Sequence, residues 1–426
     1  MRAGASRPTG RPPRPCGPPR GGNTIGLANQ REGRGRSGYS WEASWGTTDD
    51  PGTPGIVTFS VSCETYLFRT GNDSLTKADL PSLMGDSSNY RKLPMEGMVV
   101  ADAESSSWTT RNREYIVVES PVQQYQLLER FRSPGCSTTA VAKMGSWTAN
   151  EVSHDGLKIH SNTQQCASSG STWAGPATVM FMKGATSLNV KVAGNGRSAV
   201  ALGVVSYMDF GDAPAGYGVA GASFQPTWSG ASVPLSSTPV NLFAASQDLA
   251  TAGTALPHLG TTIDAESAQV HTDGADHDDT HGTDDEDGWS VTDIRTQPGA
   301  TYTTRVTCAS SDSAPVRAWI DWNRDGTFGK GEQSEDAACT GGSATLTWTV
   351  PDDVQRSVAD ESAATYTRVR IVAATDADQL PPTGVTTSGE VEDYRSTSTS
   401  PPSPWSRRWA TPLRRARPAW NPGPGP

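Results

Sequence analysis

Nowhere in this chain of 426 residues does an uninterrupted apolar run reach the roughly 18 residues a membrane-spanning helix needs. The first residues, "MRAGASRPTGRPPRPCGPPRGG", are basic but have no hydrophobic stretch, so they do not read as a secretory leader. Positive charge is scarce overall. A formal net charge of -10 disfavours nucleic acid as a partner, because phosphate recognition needs a basic footprint. None of the six cysteines stands in a C-x-x-C, which removes the common zinc and thioredoxin-type spacings. H-E-x-x-H, G-x-S-x-G, G-x-x-x-x-G-K-[ST] and a G-x-G-x-x-G after a strand are all missing. His154, Asp155 and His160 in "SHDGLKIH" are the nearest approach to an acid–base group, and they read as surface histidines. A non-enzymatic role is therefore expected.

Turn formers are abundant. With 44 Gly and 31 Pro, the composition suits many short strands better than long helices. "VTFSVSC" places Val57, Phe59, Val61 and Cys63 on one face, and "LNVKVAG" does the same with Leu188, Val190 and Val192. In "TYTRVRIVA", Thr365, Thr367, Val369 and Ile371 alternate with Tyr366, Arg368 and Arg370. A period of two reads as half-buried strand. "PVQQYQLLERF" alone has the look of a short helix. The expected fold is all-β: two consecutive β-sandwich domains, at 40–208 and 259–395, joined by an irregular connector at 209–258. Basic, Pro-rich tails at 1–39 and 396–426 are expected to be disordered; their abrupt change of composition also fits a displaced start and a shifted reading frame. Trp41, Trp45, Trp108, Trp147 and Trp173 are spread through the first half, as core residues or as ligand platforms. Spacing allows disulfides Cys136–Cys166 and Cys308–Cys339, with Cys63 and Cys16 left over. Closing a loop of roughly 30 residues contributes about 3–4 kcal/mol on the chain-entropy model, and such bridges belong to an oxidising compartment.

Carboxylates gather in three places. "IDWNRDGTFGKGE" carries Asp321, Asn323, Asp325, Gly326 and Glu332 at the spacing of a calcium loop, with Thr327 offering its carbonyl and Arg324 facing solvent. The flanking sequence reads as strand rather than helix, so an EF-hand pair is not expected; the other reading is a tight turn whose side chains cap their own backbone. The stretch Asp264–Gly288 holds ten carboxylates and no Lys or Arg. It is either a solvated acidic loop or a donor of cation ligands from Asp284, Asp285, Glu286 and Asp287. His271, His277 and His281 lie in the same stretch, but transition-metal binding needs a firmer scaffold. In "GEVEDY", Glu390 and Glu392 share one face of a strand, and with Asp393 they are candidate ligands as well. The glutamates either complete a cation site or pair with Arg368 and Arg370. Calcium, in a structural role, is the cofactor these patterns point to.

Six segments occur in a telling order: "DFGDAPAGYG" (209–218), "LGTTIDAE" (259–266), "GTDDEDG" (282–288), "AWIDWNRDGTFGKGE" (318–332), "YTRVRI" (366–371) and "GEVEDY" (389–394). Together they resemble the GEVED domain of bacterial secreted and surface proteins. The preceding half resembles the lectin-like non-repetitive domain of Csh-type fibrillar adhesins, chiefly through "ATVMFMKGATSLNVKVAGNGRSAVALGVV" running into "DFGDAP". The resemblance implies an extracellular or cell-surface module whose first domain binds a glycan or matrix protein of a host or neighbouring cell. A structural spacer and an accessory module of a secreted hydrolase are the alternatives. The export signal, repeat array and wall anchor that accompany such domains are not legible in this chain.

Overall fold

The computed structural model describes residues 27–29, 39–47, 55–68, 82, 84–86, 90–102, 114–130, 140–161, 178–194, 197–244, 246–263, 265–266, 269–277, 285–355, 364–378 and 380–399. These residues form an all-β protein, as the alternating sequence predicts. The first half is a sandwich of two six-stranded sheets. One sheet runs in spatial order Leu27–Asn29, Tyr39–Thr47, Arg197–Val205, Gly97–Asp102, Thr178–Lys183, Gln126–Arg130. The other runs Val240–Asn241, Ala140–Ala149, Val152–Ser161, Tyr115–Glu119, Ser187–Gly194, Gly55–Ser62. Val99, Leu127, Leu157, Met180, Phe181 and Val190 belong to one buried cluster, all sealed from solvent. Each such side chain contributes roughly 1.5–3 kcal/mol on burial.

Register places the crossings between the sheets. Arg197 pairs with Thr47, Val200 with Asp102 and Thr178 with Arg130 on one sheet. On the other, Ser161 pairs with Ala140, Ala193 with Tyr115 and Gly194 with Gly55. The chain changes sheet at each of these strand ends, and again at the opposite end, between Glu119 and Gln126 and between Lys183 and Ser187.

Three expectations need correction. Residues 121–131 hold no helix among those described: Pro121 and Val122 form a turn and Gln126–Arg130 is a strand. Burial of Tyr125, Leu127 and Leu128 against the strand Thr178–Lys183 outweighs local helical preference. The segments expected to be tails also contribute structure. Leu27–Asn29 pairs with Asn29 opposite Glu42, and Glu390–Thr399 continues past residue 395 to pair in parallel with Asp293–Arg295. The connector, finally, does more than connect. Its Ala231, Val233, Leu242 and Ala250 enter the first core, and Trp228 packs on Phe181 at 4.6 Å while donating from Nε1 to Glu96 at 3.0 Å. Further along, Ala220–Phe224 pairs in parallel with Gly384–Thr386 of the second half.

The second half closes a three-stranded sheet (His258–Leu259, Thr301–Ala309, Ser343–Thr349) over a five-stranded one. The latter runs Asp293–Arg295, Glu390–Thr399, Ala364–Ile371, Pro315–Ile320, Ala337–Ala338. Its core is aromatic: Trp322 and Trp348 lie 6.5 Å apart edge to face, with Tyr302 at 5.8 Å from each. The expected disulfide Cys308–Cys339 is present, spanning 31 positions. Cys63, read as unpartnered, is also disulfide-bonded, and Cys136 and Cys166 lie outside the described residues. Gly389, with φ at 89°, starts the last strand where a Cβ would collide with the Ile371 carbonyl; only glycine fits both conditions.

Candidate functional site

The alternation read in "YTRVRI" decides where the charges go. Strand Ala364–Ile371 pairs with Glu390–Thr399 so that Arg368 faces Asp393, Val369 faces Glu392 and Ile371 faces Glu390. Arg368 and Asp393, both fully buried, form a two-pronged ion pair with two bonds of 2.7 Å. Ala213 N–H completes Asp393 at 2.9 Å. Asp393 thus serves a guanidinium rather than a cation shell. Arg370 donates to the carbonyls of Pro381 and Gly221. Neither arginine meets Glu390 or Glu392, which lie on the opposite face of the strand. Of the two readings of these glutamates, pairing with the arginines is therefore excluded.

The arginine face is covered by the segment that carries "DFGDAPAGYG". Asp209 accepts the Val391 N–H at 2.7 Å, Tyr217 O accepts from Arg368 at 3.2 Å, and Tyr217 Oη donates to Asp321 at 2.6 Å. This motif, read as the start of a connector, is built into the second domain. The resemblance had counted it with the GEVED segments, but its contacts could not be read from sequence, because its partners lie more than a hundred positions away.

The loop Asp321–Glu332 begins where Pro315–Ile320 ends, and Trp322 anchors it by pointing into the aromatic core. Asp321 accepts N–H bonds from Asp325 (3.2 Å) and Gly326 (3.0 Å). Asp325 accepts from Thr327 N–H (2.9 Å), Thr327 Oγ1 (2.7 Å) and Asn323 Nδ2 (3.2 Å). Glu332 reaches back to accept Trp322 N–H (3.0 Å) and Gly329 N–H (2.6 Å). Burial raises the Glu332 carboxyl, and the charges of Asp321 and Asp325 raise it further. A carboxylate has about four acceptor positions, so these bonds do not exhaust Asp321 or Glu332. The donor set is hard oxygen, which fits calcium. Self-capping of this kind also describes a metal-free turn. Arg324 does not face solvent as expected; it donates to the Ser398 carbonyl at 3.2 Å with φ at 56°.

The acidic stretch divides. Asp284 and His281 lie outside the described residues. Asp285 is buried, Glu286 is half-buried and Asp287 is exposed. Asp287 accepts the Thr261 N–H at 2.8 Å. His271 bonds the Ala213 carbonyl at 2.6 Å through Nδ1, and the backbone of His277 donates to Asp212. Among the described residues, no three His, Cys, Asp or Glu side chains are already grouped as a metal cage.

In the first sandwich, His154 stacks on Trp147 at 4.7 Å and 18° and bonds Glu119 at 2.7 Å, not the adjacent Asp155. Asn189 donates to Glu119 at 2.6 Å, and Ser60 donates to Asn189 at 2.5 Å. Burial works against the Glu119 charge, yet the bonds from His154 and Asn189 hold its carboxyl below the ordinary value. Trp147 is buried. Trp108 and Trp173 lie outside the described residues, as do the side chains of Trp41 and Trp45.

No curated protein matches the chain. Among solved structures, the N-terminal domain of the Streptococcus gordonii adhesin Sgo0707 aligns over 89% of this chain and 86% of that chain, at 8% identity. Its TM-score of 0.21 is too low to support a structural argument. Residues 9–205 match the family model of the surface adhesin CshA non-repetitive domain 2, and that match takes in most of the segment read as an N-terminal tail. Residues 315–397 match the GEVED domain, so the two family matches follow one another in the order the motifs imply.

Proposed function

We propose that this chain is an extracellular or cell-surface binding module of adhesin type, recognising a glycan or matrix protein of a host or neighbouring cell through its first domain. The match of residues 9–205 to a surface-adhesin domain carries this reading. The buried disulfide Cys308–Cys339 supports it, since such bridges persist in oxidising compartments. Among the described residues no helix is long and apolar enough to cross a membrane. Recognition is assigned to loops at one end of the first sandwich, because loops on a rigid scaffold are free to vary while the scaffold holds them in place. Binding, rather than catalysis, is the role.

Calcium belongs to the second part of the proposal. Asp321, Asn323, Asp325 and Glu332, with the Thr327 carbonyl, would hold it, and its role is to fix the loop against the aromatic core. The test is a glycan and matrix-protein array probed with the full chain in calcium and in chelator. Saturable binding to a defined ligand supports the adhesin reading. A chain that binds nothing on either array is a spacer instead, and the reading fails.

A further inference from the structure

The strand Gly55–Ser62 lies at the end of its sheet, paired with Ser187–Gly194 on one side only. Among the described residues no chain meets its other edge, so a row of backbone N–H and C=O groups is left open there. Two other edges of this sandwich are covered in part. Ala140–Ala149 takes Val240–Asn241 beside it and donates the Met144 N–H to the Ser236 carbonyl at 2.7 Å. Gln126–Arg130 donates the Leu127 N–H to the Ala231 carbonyl at 3.0 Å and accepts from the Ala250 N–H at 2.7 Å. Proteins usually blunt an open edge with charge, proline or a bulge. "GIVTFSVS" holds no charged residue and no proline, and its register with Ser187–Gly194 runs through all eight residues without a shift. Val57, Phe59 and Val61 point to the core side yet are only half-buried, and Ile56 is 60% exposed.

This edge reads nearly the same in both directions about Phe59. Val57 balances Val61, and Thr58 balances Ser60. An antiparallel contact between two copies, centred on Phe59, therefore sets Val57 opposite Val61, Phe59 opposite Phe59 and Thr58 opposite Ser60. The core-side residues then share one face and the hydroxyls the other, as a period of two requires. Aromatic, β-branched and Ser/Thr pairs of this kind favour antiparallel pairing, and no like charges meet. The contact is self-complementary about a two-fold axis, the closed arrangement most common in dimers. A strand from a different protein would need no such symmetry, so the match singles out a second copy. We propose that Gly55–Ser62 is a self-pairing edge, which joins the first domains of two copies of this chain into one continuous sheet. The pairing does not depend on the adhesin reading, but it would place two of the binding sites that reading assigns to the first domain in one assembly, where they act together.

The test is analytical sedimentation of the full chain across a range of concentrations. One strand from each side is a small contact beside the roughly 1,200–2,000 Å² of a stable interface, so the pairing is reversible and shows itself as concentration rises. The expected result is a mass that climbs from one chain toward two, while amide exchange slows within residues 56–62. Ile56→Lys with Ser62→Lys changes two exposed positions that face each other across the contact. It sets lysine against lysine and should hold the chain at one mass. Ile56→Glu with Ser62→Glu should do the same. Mixed in equal amounts, the two substituted chains should associate again, a recovery that misfolded variants could not give. An unchanged chain that keeps one mass at every concentration would overturn the proposal and leave the edge to a strand of another protein. Association that the lysine substitutions leave intact, or a mixture that stays at one mass, would overturn it as well.

Discussion

Arg368 and Asp393 show how a single residue pair can hold two segments together. The guanidinium is fully buried, uses both prongs on Asp393 and donates to the carbonyls of Tyr217 and Pro382. Breaking a buried pair from one side leaves a charge with no partner and costs about 3–5 kcal/mol. Arg368→Met is therefore expected to lower the unfolding free energy by that amount, read as a lower urea midpoint by tryptophan fluorescence, while Arg368→Met with Asp393→Leu recovers part of it. Glu96 gives a second prediction at this scale. Burial raises its carboxyl above the ordinary 4.5, opposed by the Trp228 bond and the Lys183 charge. Its folded form therefore holds a proton more tightly than the unfolded chain does. Stability from this group is complete below pH 4.5 and falls as pH rises through the raised folded value. Melting temperatures of Glu96→Gln measured across that window should decline less steeply with pH than those of the unchanged chain.

At the scale of elements, the loop Asp321–Glu332 has oxygen donors in place and a tryptophan as its anchor. Calcium at a hundredfold excess over its dissociation constant stabilises by about 2.7 kcal/mol. Thermal melts of the full chain should rise with calcium, and the part owed to this loop should vanish in Asp321→Ala with Asp325→Ala. A melt that calcium leaves unmoved would mean that the loop is a turn. Much at this scale was legible beforehand. In "YTRVRI" the period of two separated Val369 and Ile371, which face the core, from Arg368 and Arg370, which do not. "PVQQYQLLERF" misled because Leu127 and Leu128 are adjacent, and adjacent apolar residues give no period; only the neighbouring strand Thr178–Lys183 settles the matter. The partner of Asp393 was not legible either. A choice between Arg368, Arg370 and a cation depends on register, and register is fixed by pairing rather than by local sequence.

Over the whole molecule, the two sandwiches are less separate than composition implies. Ser-, Ala- and Pro-rich residues between them look like a linker. Yet Ala231 and Ala250 fit the first core because they are small, and Asp209 and Tyr217 reach into the second domain. The bridge Cys308–Cys339 closes a loop across the second core. Its removal by Cys308→Ser with Cys339→Ser should cost about 3–4 kcal/mol, read as a lower urea midpoint. Domain order and fold class were legible because the motifs are local. The sheet order of the first sandwich was not, since strand pairing joins segments far apart in sequence. The most direct measurement of the adhesin role is adsorption of beads coated with the full chain to host and bacterial cells, counted by flow cytometry with soluble chain as competitor. Saturable adsorption that the soluble chain displaces is the predicted result. Adsorption no greater than that of beads coated with an unrelated acidic protein would contradict it.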